Sequence, residues 1–422
     1  MDLVTSSSSE PVDRVLSSKA IWWSAAMLLL VAAGTAVWLL LAYGRSDADP
    51  DQVRNQLDAI KTAGTIVVGT GGAAALLLAA RRQRTAERDH ARQVQVDADT
   101  RLDATERRIT ELYTKAAEQL GSDKAPVRLA GLYALERLAQ NNPTQRQTIV
   151  NVLCAYLRMP YQVPGEPPAH EHNESSQAAA HQQRAQEREV RLTAQGLLCD
   201  HVRTGADAKG VVSPFWADID LDLTGAVLID LDLVSCALRK ATFTSAQFIG
   251  TARFDRARFA GAVRFDEARF DEGRYVAARF GGARFAGSAR FDGAQFGSAR
   301  FDGAQFASSV RFDGVRFADA AWFEGVRFAD TAWFVGAEFA SDAWFQNVHV
   351  AGASSFDEAR FTSATSFVRA QFAGNAQFVG TQFPNTTTFE GARFRNGVPP
   401  TLSRFRLTTS STPKADTAES TD

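Results

Sequence analysis

A phenylalanine returns every fifth or sixth residue through the second half of this chain, from Phe243 and Phe248 by way of Phe254, Phe259, Phe265 and Phe270 to Phe389 and Phe394. A small residue stands two places before nearly every one, as in Ala289-Arg290-Phe291-Asp292-Gly293. One such unit cannot bury its ring alone, so a repeat this short and this sustained demands stacked neighbours in a solenoid. Leucine replaces phenylalanine at Leu223, Leu228, Leu233 and Leu238. With these, Tyr275 and Val350 the series holds 33 centres from Leu223 to Phe394, without a break.

Five is neither a helical period nor strict alternation. It fits a chain that makes a short extended face and then turns a corner, the centre and the residue two before it pointing inward. Six-residue steps end on Phe291, Phe312, Phe334, Phe356 and Phe378, and on Phe323, Phe345, Phe367 and Phe389. Members of each series lie four centres apart, so a coil of four faces stacks the extra residues at two opposite corners. A coil of three would carry them round the shaft and break the ladder. Phe254 and Phe265 fall outside this register, so less regular early coils are expected. At a rung spacing of about 4.8 Å the whole repeat makes a rod of roughly 40 Å.

The pattern resembles the pentapeptide-repeat family, whose unit centres on Leu or Phe with Ala two places before. The resemblance is carried by Ala226-Val227-Leu228, Ala246-Gln247-Phe248, Ala268-Arg269-Phe270, Ala294-Gln295-Phe296 and Ala304-Gln305-Phe306, and covers residues 215–398. It implies a mainly β fold, a right-handed four-sided parallel β-helix. This chain departs by preferring Phe to Leu, by Arg, Gln or Trp before the centre, and by alternating five with six residues.

Ahead of the repeat lie two apolar spans. Residues 21–43 carry no charge and have aromatic residues near both ends (Trp22, Trp23, Trp38, Tyr43); as a helix they measure about 34 Å against a bilayer core of about 30 Å. Residues 62–80 are shorter and rich in small residues, with Gly64, Gly69, Gly71 and Gly72 allowing close helix packing; a buried helix is the alternative. Arg81, Arg82, Arg84, Arg88 and Arg92 follow directly, which places that flank inside. The expectation is a multi-pass protein of the inner (cytoplasmic) membrane with both termini in the cytoplasm. Its parts are an N-terminal segment 1–20, transmembrane helices 21–43 and 62–80, and an external loop 44–61. A helical stalk 81–120 follows, with an apolar stripe Leu102, Thr105, Ile109, Leu112, Ala116 and Leu120 that suits either a short coiled coil or a helix lying on the next unit. A helical hairpin adaptor 121–161, a linker and helix 162–210, the repeat 211–406 and a disordered tail 407–422 complete the chain. The hairpin and adaptor resemble membrane-anchored bacterial, actinobacterial-like members of the family without assigned activity.

Charge narrows the partners. The chain has 46 basic and 48 acidic residues, too even a balance for a generic nucleic-acid binder. Some members of the resembled family bind DNA gyrase by imitating duplex DNA, which needs a strongly negative shaft; residues 216–406 hold 21 acidic and 21 basic residues. Cys154, Cys199 and Cys236 lack metal or disulfide spacing, and His170, His172 and His181 lack partners to complete a metal set. No nucleophile–histidine–acid group and no phosphate loop stands in a credible context, so no enzyme, cofactor or metal is expected. Trp322, Trp333 and Trp344 each precede a core phenylalanine and should point outward as a protein interface, or else cover a bulged corner or pack against a tail. The functional expectation is a membrane-tethered cytoplasmic scaffold or interaction module without catalytic activity. The alternatives are an accessory subunit of a membrane transport or signalling system, and an inhibitor of a cytoplasmic enzyme acting through the rod. Its partners would be the lipid bilayer, a second copy through the stalk or membrane helices, and an unidentified protein, with no nucleic acid.

Overall fold

The computed structural model describes residues 50–164, 174–205, 214–270 and 278–406, with scattered positions between 23 and 41. Two units separate, residues 1–107 and 108–422. Helix α1 runs from Pro50 to Leu120 without interruption.

That helix corrects the membrane expectation. Among the described residues no helix is long and apolar enough to cross a membrane. Residues 21–43 fall largely outside the described residues, as do the N-terminal segment and the tail 407–422. The second span, 62–80, is the interior of α1, which begins inside the expected external loop and passes Ala80 and the arginine cluster unbroken. Its apolar runs, Ile66 to Val68 and Ala73 to Ala80, are parted by Gly69, Thr70, Gly71 and Gly72, and long polar stretches flank them in the same helix. That no spanning helix is found among the described residues contradicts the anchored type, the bilayer as partner, the multi-pass inner-membrane placement and the membrane-accessory reading.

Among the described residues three further α-helices stand between α1 and the repeat: α2 (Ala125–Asn141), α3 (Arg146–Arg158) and α4 (Glu174–Val202). Pro126 sits in the first turn of α2, where its missing N–H costs nothing, and Pro143 follows the break at Asn142. Leu132, Leu135 and Leu138 of α2 join Ile149, Leu153 and Leu157 of α3 and Val190, Ala194 and Leu198 of α4 in one buried core. The end of α1 adds Ala116 and Leu120. There α1 and α2 nearly touch: a Cβ on Gly131 would lie 2.9 Å from the Ala116 carbonyl oxygen.

The repeat folds as four parallel sheets of eight, seven, six and eight strands, wound right-handedly around one core. In chain order the first face runs from Asp220–Asp222 to Ala376–Gln377 and the second from Val227–Ile229 to Arg360–Phe361. The third runs from Ala252–Arg253 to Thr365–Ser366 and the fourth from Ala237–Leu238 to Arg393–Phe394. Rings stack face to face along each column. On the first face Phe312 lies 4.8 Å from Phe334 and Phe334 4.8 Å from Phe356, all but coplanar in orientation. The opposite third-face column meets it edge-on, as Phe301 meets Phe312 at 5.4 Å and 88°. After the first- and third-face centres the chain turns through a residue of positive φ, such as Gly303 (64°) or Gly314 (62°), and the N–H of the following residue, Ala304 or Val315, donates to the centre's carbonyl. Glycine fits that left-handed position without a Cβ clash.

Coil length varies between 20 and 22 residues along most of the axis. Leu228 pairs with Phe248, 20 residues on; Arg284 with Gln305, 21 on; Ala321 with Ala343, 22 on. One coil departs: Phe254 stacks on Phe280 and Phe259 on Phe285, a rise of 26 residues. Tyr275, counted as a centre in the sequence, lies in 271–277, outside the described residues, and the core resumes at Phe280 as the rung after Phe254. With that pentad skipped, Phe254 and Phe265 fall into the same columns as Phe323 and Phe334, so their apparent offset came from one inserted unit.

The solenoid's first coil would expose sheet edges, and the helical region caps those of the first three faces. Gln147 of α3 donates to the Asp220 carbonyl and accepts from the Asp220 N–H, both at 2.9 Å. Gln195 of α4 does the same at Ile229, at 2.9 and 3.1 Å. The Arg203 guanidinium donates to the Asp232 and Val234 carbonyls, and its backbone bridges Cys236. His201 stacks on Trp216 at 3.9 Å, and its ring nitrogens meet the Pro214 carbonyl and the Glu136 carboxylate. At the other end Phe405 closes over Phe383 and Phe389.

Two stability outcomes follow, both read by chemical denaturation. Phe301→Ala, which empties a fully buried ring position, should cost about 3–5 kcal/mol. Gln195→Ala strands a buried N–H and C=O pair and should cost about 1–3 kcal/mol, whereas an unchanged midpoint would show that the edge needs no cap.

Candidate functional site

Outward positions on the solenoid form straight columns, because each residue stands in register with the same position one coil away. On the third face one column reads Arg253, Arg279, Arg300, Trp322, Trp344 and Ser366. On the first face it reads Arg264, Arg290, Arg311, Trp333, Ser355 and Gln377. The two faces lie on opposite sides, so the structure brings Trp322 and Trp344 together and holds Trp333 apart.

Trp322 and Trp344 are direct partners across adjacent rungs. The Arg300 guanidinium sits 5.4 Å from the Trp322 ring centre, within cation–π range. All three indoles are half-buried rather than fully exposed, because rung neighbours about 4.8 Å away cover part of each ring. The Arg300 contact was not anticipated; its signal was the pairing of every fourth centre, which sets Arg300 next to Trp322.

The arginines before the tryptophans are neutralised. On the first face Arg264 pairs with Asp266 at 2.8 Å, and Arg290 bridges Asp266 and Asp292 at 3.0 and 2.8 Å. Arg311 continues the ladder to Asp292 and Asp313 at 3.5 and 2.6 Å. The hydrogen bond to Asp313, with the Asp292 charge beside it, pushes the Arg311 guanidinium further up. On the third face Arg279 pairs with Asp255 and Arg300 with Asp302. The arginine of each pair is exposed while its aspartate is partly buried, or at Asp266 buried, and the ladder spaces like charges apart.

Among the described residues no cluster of histidine, cysteine, aspartate or glutamate is placed to hold a metal ion. His181 lies on α4, while His170 and His172 fall outside the described residues. The three thiols are free and buried. Burial pushes Cys154 and Cys199 up to about 12 and Cys236 higher still, so none is a ready thiolate.

Four parallel sheets wound around stacked rings define a right-handed β-solenoid of square section, with a surface built of columns. The family described as pentapeptide repeats (9 copies) matches residues 223–273, 277–316 and 312–360, which supports membership of that family for the solenoid. No curated protein and no solved structure matches the chain.

A thiol reagent added to the native protein should label Cys154, Cys199 and Cys236 slowly, and all three promptly in denaturant. Fast native labelling of any of them would show that its burial is breached.

Proposed function

We propose that the chain is a non-catalytic scaffold whose solenoid docks a protein partner through its third face, with Trp322 and Trp344 as the anchors. The observation that carries this is their pairing across adjacent rungs with Arg300 beside them. Arginines neutralised by neighbouring aspartates occupy the same column below; the tryptophans break that pattern with two large amphipathic rings. Held by a rigid sheet, they lose little freedom on binding, and tryptophan and arginine are the residues that dominate interface energies. Trp333 faces the opposite way and serves a separate contact. Helices α2 to α4 act in this reading as a cap and adaptor for the rod.

The test is crosslinking in the native cell with wild type and with Trp322→Ala/Trp344→Ala, followed by mass spectrometry. Each truncation should weaken docking by about 2 kcal/mol or more, so a discrete partner should vanish from the crosslinked set. Arg290→Ala, on the first face, should leave that partner in place. A partner set unchanged by the double substitution, in a protein that still unfolds at the wild-type temperature, overturns the reading.

A further inference from the structure

The fourth face differs electrically from the other three. Its outer column reads Arg258, Arg284, Gln305, Arg327, His349, Gln371 and Arg393, in unbroken register. Among the described residues none of these arginines is in an ion pair, whereas those of the first and third faces are paired with aspartates. The arginines of the column are exposed. The second face also carries arginines, but there Arg269, Gln295, Arg316, Glu338 and Arg360 alternate, and a carboxylate interrupts the column. On the fourth face the carboxylates stand at the corners, Asp255, Asp302, Glu324 and Glu390 before it and Asp330 after it, not in the column.

Beside the arginines runs a second column, Ala260, Ala286, Ala307, Ala329 and Ala351, whose methyl groups are exposed. Each alanine N–H is already spent on the rung below, as Ala286 on Phe259 and Ala307 on Phe285, both at 2.8 Å. The alanine N–H groups of this face are thus already bonded, and guanidinium groups stand beside them.

We propose that the fourth face binds an extended acidic segment of a protein partner, its carboxylates laid along the arginine column. The six rungs from Arg258 to Arg393 span roughly 29 Å, and an extended peptide sets alternate side chains about 6.8 Å apart, so a segment of about nine residues covers the column. Guanidinium forks match carboxylates in two parallel hydrogen bonds, while Gln305 and Gln371 supply neutral donors between them. A single-stranded nucleic acid fits less well. It needs aromatic platforms for its bases, and this column offers arginine, glutamine, alanine and one imidazole. The proposal uses a face other than that of Trp322 and Trp344, so either site can fail without the other.

The experiment measures fluorescence anisotropy of a labelled ten-residue glutamate peptide, and of a labelled twelve-nucleotide oligothymidylate, on the full chain at low salt. The peptide should bind more tightly than the oligonucleotide. Arg258→Gln/Arg284→Gln/Arg327→Gln should weaken the peptide roughly tenfold, as added salt should. The matched first-face variant Arg264→Gln/Arg290→Gln/Arg311→Gln should leave the affinity within twofold. Thermal unfolding at the wild-type temperature confirms that each variant is folded. No peptide binding, equal loss from both triple variants, or tighter binding of the oligonucleotide would each overturn the proposal.

Discussion

The structure depends on a coincidence of two lengths. Parallel strands repeat every 4.8 Å or so, and flat aromatic rings stack at nearly the same distance. In the third-face column successive rings from Phe280 to Phe389 lie 4.7 to 4.9 Å apart. A phenylalanine can therefore sit above another on every coil without straining the backbone ladder. Aligned stacking alone is not the best geometry for aromatic pairs, because ring faces carry the same sign of charge. Here the first and third columns meet at nearly right angles, so edges of one face the other, as between Phe323 and Phe334 at 5.6 Å and 84°. Where the rings stop, at Phe243, aliphatic Leu223, Leu228 and Leu233 continue into the leucine-rich core of the helices.

A stack held this way has no internal limit on length, which makes its ends the vulnerable parts. Each end presents backbone groups ready to pair with another chain. The amino-terminal end is closed by side chains acting as substitute strands. The amides of Gln147 and Gln195 each offer one donor and one acceptor, the set a neighbouring residue would provide. The carboxy-terminal end is closed by a short turn, Pro400–Leu402, and an edge-on Phe405. The helices are therefore part of the solenoid's stability, not a separate appendage to it.

Much of the interior was legible in the sequence, since a side chain repeated in fixed register leaves a periodic trace. The four-faced coil follows from the placement of six-residue steps. Spacing alone cannot tell a pentad built into a coil from one inserted between coils; the pairing of Phe254 with Phe280 separates them. The capping residues left no trace, as a lone glutamine on a helix looks the same whether it meets water or a sheet edge. The membrane reading failed for a related reason. A window of apolar residues was judged without the polar helix on either side of it, which α1 joins into one element. The tryptophans were legible as outward-facing positions, and their half-burial was not, because it comes from rung neighbours far away in sequence.

The same register that orders the core constrains the surface. An outward residue always has its counterpart about 4.8 Å above and below, where two like charges repel by almost 1 kcal/mol even at the dielectric of water. A column of arginines is thus penalised unless something relieves it. The first face interleaves aspartate, so Arg290 and Arg311 share Asp292. The second face alternates arginine with glutamine and glutamate. On the third face the arginines pair and then give way to Trp322 and Trp344. On the fourth, Arg258 and Arg284 are direct partners with no ion pair among the described residues, and the column dilutes only afterwards, at Gln305. Among the described residues no ion pair relieves that repulsion, and solution ions or a partner's negative charge would. A face that keeps uncompensated repulsion in its free state gains most when an anion arrives, since binding then removes a cost as well as adding a contact.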